Sequence, residues 1–335
     1  MTKISNLQWV VTLLALFLVN SAIAENTGTT GTTETDEPEY NIIDIAGYEV
    51  PVIAGGLYDR FRSNPPLSVI AEEAPEIDLS WFETIEKTKV DVGFETYSPN
   101  FFYSNTKITA IFTADMRRLR DLMPAELMHI VQPLEIFPGR GMVAITAYAY
   151  HYCDNDFYNE FSVSIVTNRA GRPNHGFISL LAQMDNNDYW GYVLKLPVDT
   201  ELARVRGVVG YNLPKWLTEM TYSSDEETVS FQIFDETTGE LDLTFEGKVL
   251  ETSSDAEIVR NNFANVDQAG ALTRGYSESR NLAYASSMNG SDVSLTLRDG
   301  SLSSFIHSLD LGGMVQYEYV PEFQSALYST EPLED

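Results

Sequence analysis

Cysteine, basic side chains and histidine are all scarce in this chain, and each shortage removes a class of function. One cysteine, Cys153, stands in 335 residues, so no intrachain disulfide can form and stability must come from a packed core. As a nucleophile Cys153 would need a base and a depressed pKa, and the neighbouring Asp154 and Asp156 act against one. Lysine and arginine together number 21 against 49 acidic residues, a net charge of −28. Such a field repels phosphate backbones and anionic bilayers, so neither nucleic acid nor a membrane surface is an expected partner. The four histidines, His129, His151, His175 and His307, lie far apart without close ligand spacing, so no metal site is expected. Pro138-Gly139-Arg140-Gly141 reads as a turn, not a phosphate loop, and no serine sits in a nucleophile elbow.

Apolar material is plentiful by comparison. At 44% hydrophobic and 12% aromatic residues, the chain has ample material for a large core. Lys3, the apolar run Trp9 to Val19 and the small residues Ala22-Ile23-Ala24 together read as an export signal over residues 1–24. The run is too short to span a bilayer comfortably, and no later segment approaches that length. The expectation is an exported protein, periplasmic or secreted, with no membrane association once the signal is cleaved. Residues 25–39, rich in threonine, glycine and acids, read as a disordered linker. Residues 40–97 read as an N-terminal extension, and residues 98–330 as the main domain.

Within that domain β-type alternation dominates. Lys107 to Thr113 places Ile108, Ala110 and Phe112 on one face. Thr113 is then the expected N-cap of a short helix carrying Met116, Leu119 and Met123, which Pro124 stops. Gly141 to Tyr152 sets Val143, Ile145, Ala147 and Ala149 against Tyr148, Tyr150 and Tyr152. Glu160 to Thr167 sets Phe161, Val163 and Ile165 against Glu160, Ser162 and Ser164. Further strands are expected at Tyr192–Leu196, Val229–Phe234, Leu241–Val249 and Val293–Arg298, and helices near Thr200–Arg206 and Ser301–Leu311. Asp154-Asn155-Asp156 and Asp185-Asn186-Asn187-Asp188 read as turns between strands. Many strands with few helices predict a mainly β, α+β fold whose antiparallel sheet closes into a barrel, since closure removes exposed edges.

One lysine stands apart. Asp199 to Gly207 leads through Gly210-Tyr211-Asn212-Leu213-Pro214 to Lys215, Trp216 and Leu217. A lysine amine is a nucleophile only when neutral, and an apolar setting favours the neutral form. This passage resembles the segment of the acetoacetate decarboxylase family in which a Pro-Lys lysine forms a Schiff base. Thr113 to Leu119 with Leu122 to Leu127, Tyr158-Asn159-Glu160, Leu297-Arg298-Asp299 and Tyr317 to Tyr328 resemble other family segments in the same order. The resemblance runs from about Phe101 to Tyr328, loosely over 235–290. It implies an antiparallel β cone or barrel with a few short flanking helices, and a homo-oligomer. It also implies Lys215 as imine-forming nucleophile and Glu160 as proton-transfer or orienting group, with no cofactor beyond the lysine Schiff base.

The departures from the family pattern are specific. The family's second lysine is Trp216 here, its Gly-Arg-Glu is Gly207-Val208-Val209, another glutamate falls near Ile145, and an arginine falls near Asn105. They favour a change of substrate over strict acetoacetate turnover, so the resemblance implies a lysine imine with a small β-keto acid or related carbonyl compound and release of CO2. Trp216, Tyr148, Tyr150 and Tyr211 are the candidate pocket lining; a desolvating indole beside Lys215 would take over part of the missing lysine's effect. Plainer readings stand beside these. Glu160 reads equally as a surface carboxylate, the tyrosine stripe as one wall of a sheet core, and the whole domain as a non-catalytic ligand-binding barrel that retains Lys215 as a remnant.

Overall fold

The computed structural model describes residues 38–254, 257–267 and 269–333. The expected signal peptide and residues 25–37 of the expected linker lie outside them. In chain order the strands are β1 (Tyr40–Ile45), β2 (Tyr48–Ile53), β3 (Thr88–Asp91), β4 (Glu95–Ser98), β5 (Asn100–Asp115), β6 (Arg140–Cys153), β7 (Tyr158–Val166) and β8 (Asp188–Val198). They continue with β9 (Lys215–Leu217), β10 (Met220–Ser224), β11 (Thr228–Phe234), β12 (Leu241–Lys248), β13 (Ile258–Val266), β14 (Leu272–Ser287), β15 (Val293–Leu297) and β16 (Met314–Pro332). The helices are α1 (Leu57–Phe61), α2 (Leu67–Glu73), α3 (Met116–Leu122), α4 (Phe177–Asn186), α5 (Glu201–Tyr211) and α6 (Ser301–Ser308).

Seven strands close into a barrel in the order β13-β14-β16-β5-β6-β7-β8. Every join in that order is antiparallel except the one that shuts it, where Arg260 to Phe263 run parallel to Asp188 to Gly191. The expected mainly β barrel is therefore what forms. The short β9 adds to β8 in parallel, with Lys215 opposite Leu196. A separate sheet, β10-β11-β12-β15, lies against the barrel.

Alternation decides what each face of the barrel does. Ile108 and Ala110 of β5, Val143, Ile145, Ala147 and Ala149 of β6, and Phe161, Val163 and Ile165 of β7 share one buried cluster with Val229, Phe231, Leu243 and Phe245 of the second sheet. Leu302 and Ile306 of α6 close its margin. The apolar parity of the strands thus faces outward onto the second sheet. The opposite parity, carrying Lys107, Thr109, Thr146, Tyr148, Glu160 and Ser162, is left for the barrel interior. Thr109 Oγ1 and Thr146 Oγ1 meet there at 3.0 Å.

Two local expectations are corrected. Strand β5 continues to Asp115, held by its pairing with Arg140, so the cap of α3 is Asp115, whose carboxylate accepts from Arg118 N at 2.9 Å, and not Thr113. Residues Asp185 and Asn186 belong to the end of α4 instead of a turn between strands. That helix starts without a side-chain cap, behind Gly176 at φ +57°, which removes the sequence signal that marks a helix start.

Residues 40–98 are tied to the barrel by polar contacts made in buried positions. Asp154 accepts from Lys87 Nζ at 2.5 Å, Phe101 N at 2.6 Å and the Tyr103 hydroxyl at 2.8 Å. Arg206 of α5 is fully buried, donating to Asn100 Oδ1 at 2.9 Å and Thr96 Oγ1 at 3.2 Å, with its guanidinium 5.1 Å from the Tyr58 ring.

Candidate active site

Lys215 reaches the barrel interior through a short chain of local causes. Thr200 caps α5 by accepting from Ala203 N at 3.3 Å. Asn212, in the left-handed region at φ 55°, ends it. Pro214 lacks an amide hydrogen and favours extended backbone before it, so the chain leaves the helix and turns along β8. The lysine side chain then folds back against α5, lying over Gly207. A methyl carbon there would sit 2.3 Å from Lys215 Cδ, so only glycine admits this path.

At the end of that path Lys215 Nζ lies 2.5 Å from Glu160 Oε2. The side chains are only 6% and 10% exposed, which distinguishes this pair from an ordinary surface salt bridge. Glu160 is therefore not the plain surface carboxylate that its sequence position also allowed. Its other oxygen, Oε1, accepts from the Tyr150 hydroxyl at 3.2 Å. The Tyr158 ring stands 5.6 Å from Lys215 Nζ and packs on Tyr150 at 4.6 Å. Tyr148 stacks on Tyr150 at 5.5 Å with the rings 7° from parallel. Burial, together with the negative charge of Glu160, pushes the Tyr148, Tyr150 and Tyr158 phenols up, so all three remain neutral donors.

Of the six residues singled out from sequence, Lys215, Glu160, Tyr148 and Tyr150 come together. The other two do not join them. Trp216 follows Lys215 in β9, and successive strand residues face opposite ways. Its indole packs into the outer core, 5.6 Å beneath Lys195 Nζ, so it does not desolvate the Lys215 amine. Tyr211 lies in an apolar cluster with Leu196 and Leu213. Tyr158 joins the group without having been among the expected residues; its place two residues before Glu160 on an alternating strand is the signal that carries it. The apolar setting expected around Lys215 is interrupted by Glu160.

Cys153 is buried and donates to Asp156 O at 2.8 Å, and burial pushes its thiol up. Among the described residues no group of three or more histidine, cysteine or acidic side chains is placed to hold a metal ion. Two grooves on the outer surface, of about 550 and 330 Å3, share Asp199 and Leu217 in their lining. Neither is lined by Lys215 or Glu160. The buried ion pair, not groove size, marks the chemically capable place.

No protein-family model matches the chain. No curated protein matches it in sequence. Solved structures do match. An enduracididine biosynthesis enzyme, MppR, complexed with pyruvate aligns over 71% of this chain and 91% of its own, at 13% identity and a TM-score of 0.51. The same enzyme complexed with the condensation product of pyruvate and imidazole 4-carboxaldehyde aligns over 70% and 89%, at 12% identity and 0.50. An acetoacetate decarboxylase from Legionella pneumophila aligns over 71% and 88%, at 11% identity and 0.50. Likeness at this level is likeness of fold.

Proposed function

We propose, from the acetoacetate decarboxylase-like fold of this chain, that it forms a lysine imine with a small keto acid or related carbonyl compound. The observation that carries the proposal is the buried Lys215–Glu160 pair at 2.5 Å, with the second carboxylate oxygen held by Tyr150. The pyruvate held by the enduracididine enzyme supports a small keto acid as the ligand class.

The pair supplies a route for the proton of imine formation. As an ammonium Lys215 has no lone pair to attack with, and Glu160 Oε2 is within hydrogen-bond distance to take the proton. The freed amine adds to the ligand carbonyl, and the same proton, returned by Glu160, leaves with the carbinolamine hydroxyl as water. The resulting iminium is an electron sink. With a β-keto acid, the bond to the carboxylate breaks, CO2 departs, and the bonding pair moves into the iminium to give an enamine. A proton drawn from solvent, the one that decarboxylation consumes, adds at carbon and restores the iminium, and hydrolysis releases the ketone and regenerates Lys215. Tyr150 holds Glu160 in register throughout. Decarboxylation is the default outcome, and aldol or dehydration steps run through the same iminium.

A second reading rests on the same pair. An ion pair already satisfied in the free protein also describes a non-catalytic ligand-binding barrel in which the lysine is a structural remnant. Borohydride reduction in the presence of a keto-acid panel separates the two. A mass adduct confined to Lys215 and lost in Lys215→Met supports the imine, whereas folded protein with no adduct supports the binding barrel. Export through residues 1–24 and assembly into a homo-oligomer belong to the proposal as well. The N-terminus of the protein recovered outside the cytoplasm tests the first, and light scattering tests the second.

A further inference from the structure

Lys107 shares the interior row with the proposed site but takes no part in the steps above. Cross-strand register sets it opposite Tyr148, and Tyr148 opposite Glu160. The three side chains therefore stand side by side on the inner face of β5, β6 and β7. With adjacent strands roughly 4.8 Å apart, Lys107 and Glu160 stand about 10 Å apart at their backbones. Both are long side chains on that inner face.

What surrounds the Lys107 ammonium is unusual. It lies 5.0 Å from the centre of the Phe323 ring, on which Tyr148 also packs edge-on at 6.4 Å. Among the described residues no acceptor lies within hydrogen-bond or ion-pair distance of its Nζ. The nearest acidic candidate, Glu318, sits one step along the interior, opposite Thr109 while Lys107 faces Val320. It is engaged by Gln316 Nε2 at 2.9 Å. Burial pushes Lys107 down and Glu318 up, each opposed only by the other's charge. Lys107 is half-buried, so its ammonium keeps donors that no protein group takes up and that a ligand can reach. The Phe323 ring face attracts the charge but accepts none of these hydrogen bonds in the ordinary sense.

We infer that Lys107 receives the carboxylate of the ligand whose carbonyl is held at Lys215. This deepens the proposed function and rests on it for the identity of the carbonyl site. The chemistry narrows the ligand further. An ion pair on a departing carboxylate would stabilise the ground state against loss of CO2. The carboxylate at Lys107 is therefore one that the product keeps, separated from the reacting carbonyl by several bonds, in line with the two-strand spacing. The ligand class is a keto acid with a remote carboxylate, or a keto diacid that loses one carboxylate and retains the other.

The test compares levulinate (4-oxopentanoate) with 2-hexanone, a neutral ketone of similar length, in borohydride trapping at Lys215. In Lys107→Met, levulinate trapping is expected to fall at least tenfold, the scale of one hydrogen bond to a charged group, while 2-hexanone trapping is unchanged. Lys107→Arg restores part of the levulinate signal. Equal losses for both ketones, or no loss for either, overturn the inference. Calorimetry with hexanoate, which cannot condense, keeps the two readings apart if the wild type traps neither ketone. Hexanoate bound at least tenfold more weakly by Lys107→Met then upholds the carboxylate site while the imine fails. Equal affinity, or no binding by the wild type, overturns the site. If the variant does not fold, acylation of Lys107 in the wild type decides: hexanoate protects it, and absence of protection refutes the inference.

Discussion

Replacing Gly207 by alanine separates the position of Lys215 from the stability of the fold. The added carbon would lie 2.3 Å from Lys215 Cδ, 2.6 Å from Cε and 3.1 Å from Cγ. Carbon atoms rest about 3.5–4 Å apart, so the lysine chain must move by more than about 1 Å. The obstructing atoms are the flexible end of a side chain and not backbone, so the helix survives the change. Alanine in a helix interior is favoured over glycine by about 1 kcal/mol. Against this stands a weakened Lys215–Glu160 pair. Removing one partner of a buried pair costs about 3–5 kcal/mol, and here both partners remain, so the loss is smaller. The net change in stability is expected to stay within about 2 kcal/mol, read by denaturant unfolding. Reactivity responds differently, because a displacement near 1 Å costs about 100-fold. Borohydride trapping at Lys215 is expected to slow by about that factor. Gly210→Ala is the control on the same helix. Its added carbon would meet Val92 Cγ2 at 3.1 Å and Phe94 Cε1 at 3.4 Å, and no lysine, so trapping stays at the wild-type rate. Wild-type trapping by folded Gly207→Ala would refute the claim that α5 positions the lysine.

Two further outcomes follow from buried charges. Lys87→Met leaves Asp154 in a fully buried position without its 2.5 Å partner, and unfolding by urea should show a loss of about 3–5 kcal/mol. A loss below about 1 kcal/mol would mean that residues 40–98 are not held by this contact. Burial pushes Asp156 and Asp199 up to about 6, from the usual 3.8. Asp156 Oδ2 is also buried without a partner. Folded protein thus holds more protons than unfolded chain between about pH 4 and pH 6. Their contribution is present in full below about pH 4 and lost as pH rises through about 6. At about 1.4 kcal/mol per pKa unit, each accounts for no more than about 3 kcal/mol. Partial desolvation holds His151, an exposed residue of β6, below its ordinary value, and it acts in the opposite sense as pH falls below 6.5, so the measurement is a difference. The stability–pH slope between pH 4 and 6 should flatten in Asp156→Asn and Asp199→Asn relative to wild type, and an unchanged slope would contradict the assignment.

The parts of the fold that were legible in sequence are those written in local alternation. Ile108 and Ala110, Val143 through Ala149 and Phe161 through Ile165 each announce a strand with two unlike faces, and those strands form. Which face turns inward is not local information. The apolar face lies outward because a second sheet covers it, and that sheet comes from residues 220–297. Closure of the barrel depends on a parallel join between Asp188 and Arg260, residues too distant in sequence for any pattern to connect. Helix α4 carries no start signal in sequence because Gly176 provides no side-chain cap. In the site, Glu160 and Lys215 were legible through ordered segments around them. Trp216 was misplaced because a three-residue strand is too short to show its alternation. Nothing local marks Lys107, because its neighbourhood is made by register with Tyr148 and Glu160.

A barrel whose greasy side faces out resembles a vessel strengthened by its casing. The clamp between strands β5–β7 and the second sheet lies outside the chamber, so exchanging inward residues at 107, 146 or 148 removes no part of that clamp. The outer clamp and the inward row are thereby made by different side chains on the same strands. The inward row can therefore change at 107 or 146 without removing any contact of the outer clamp.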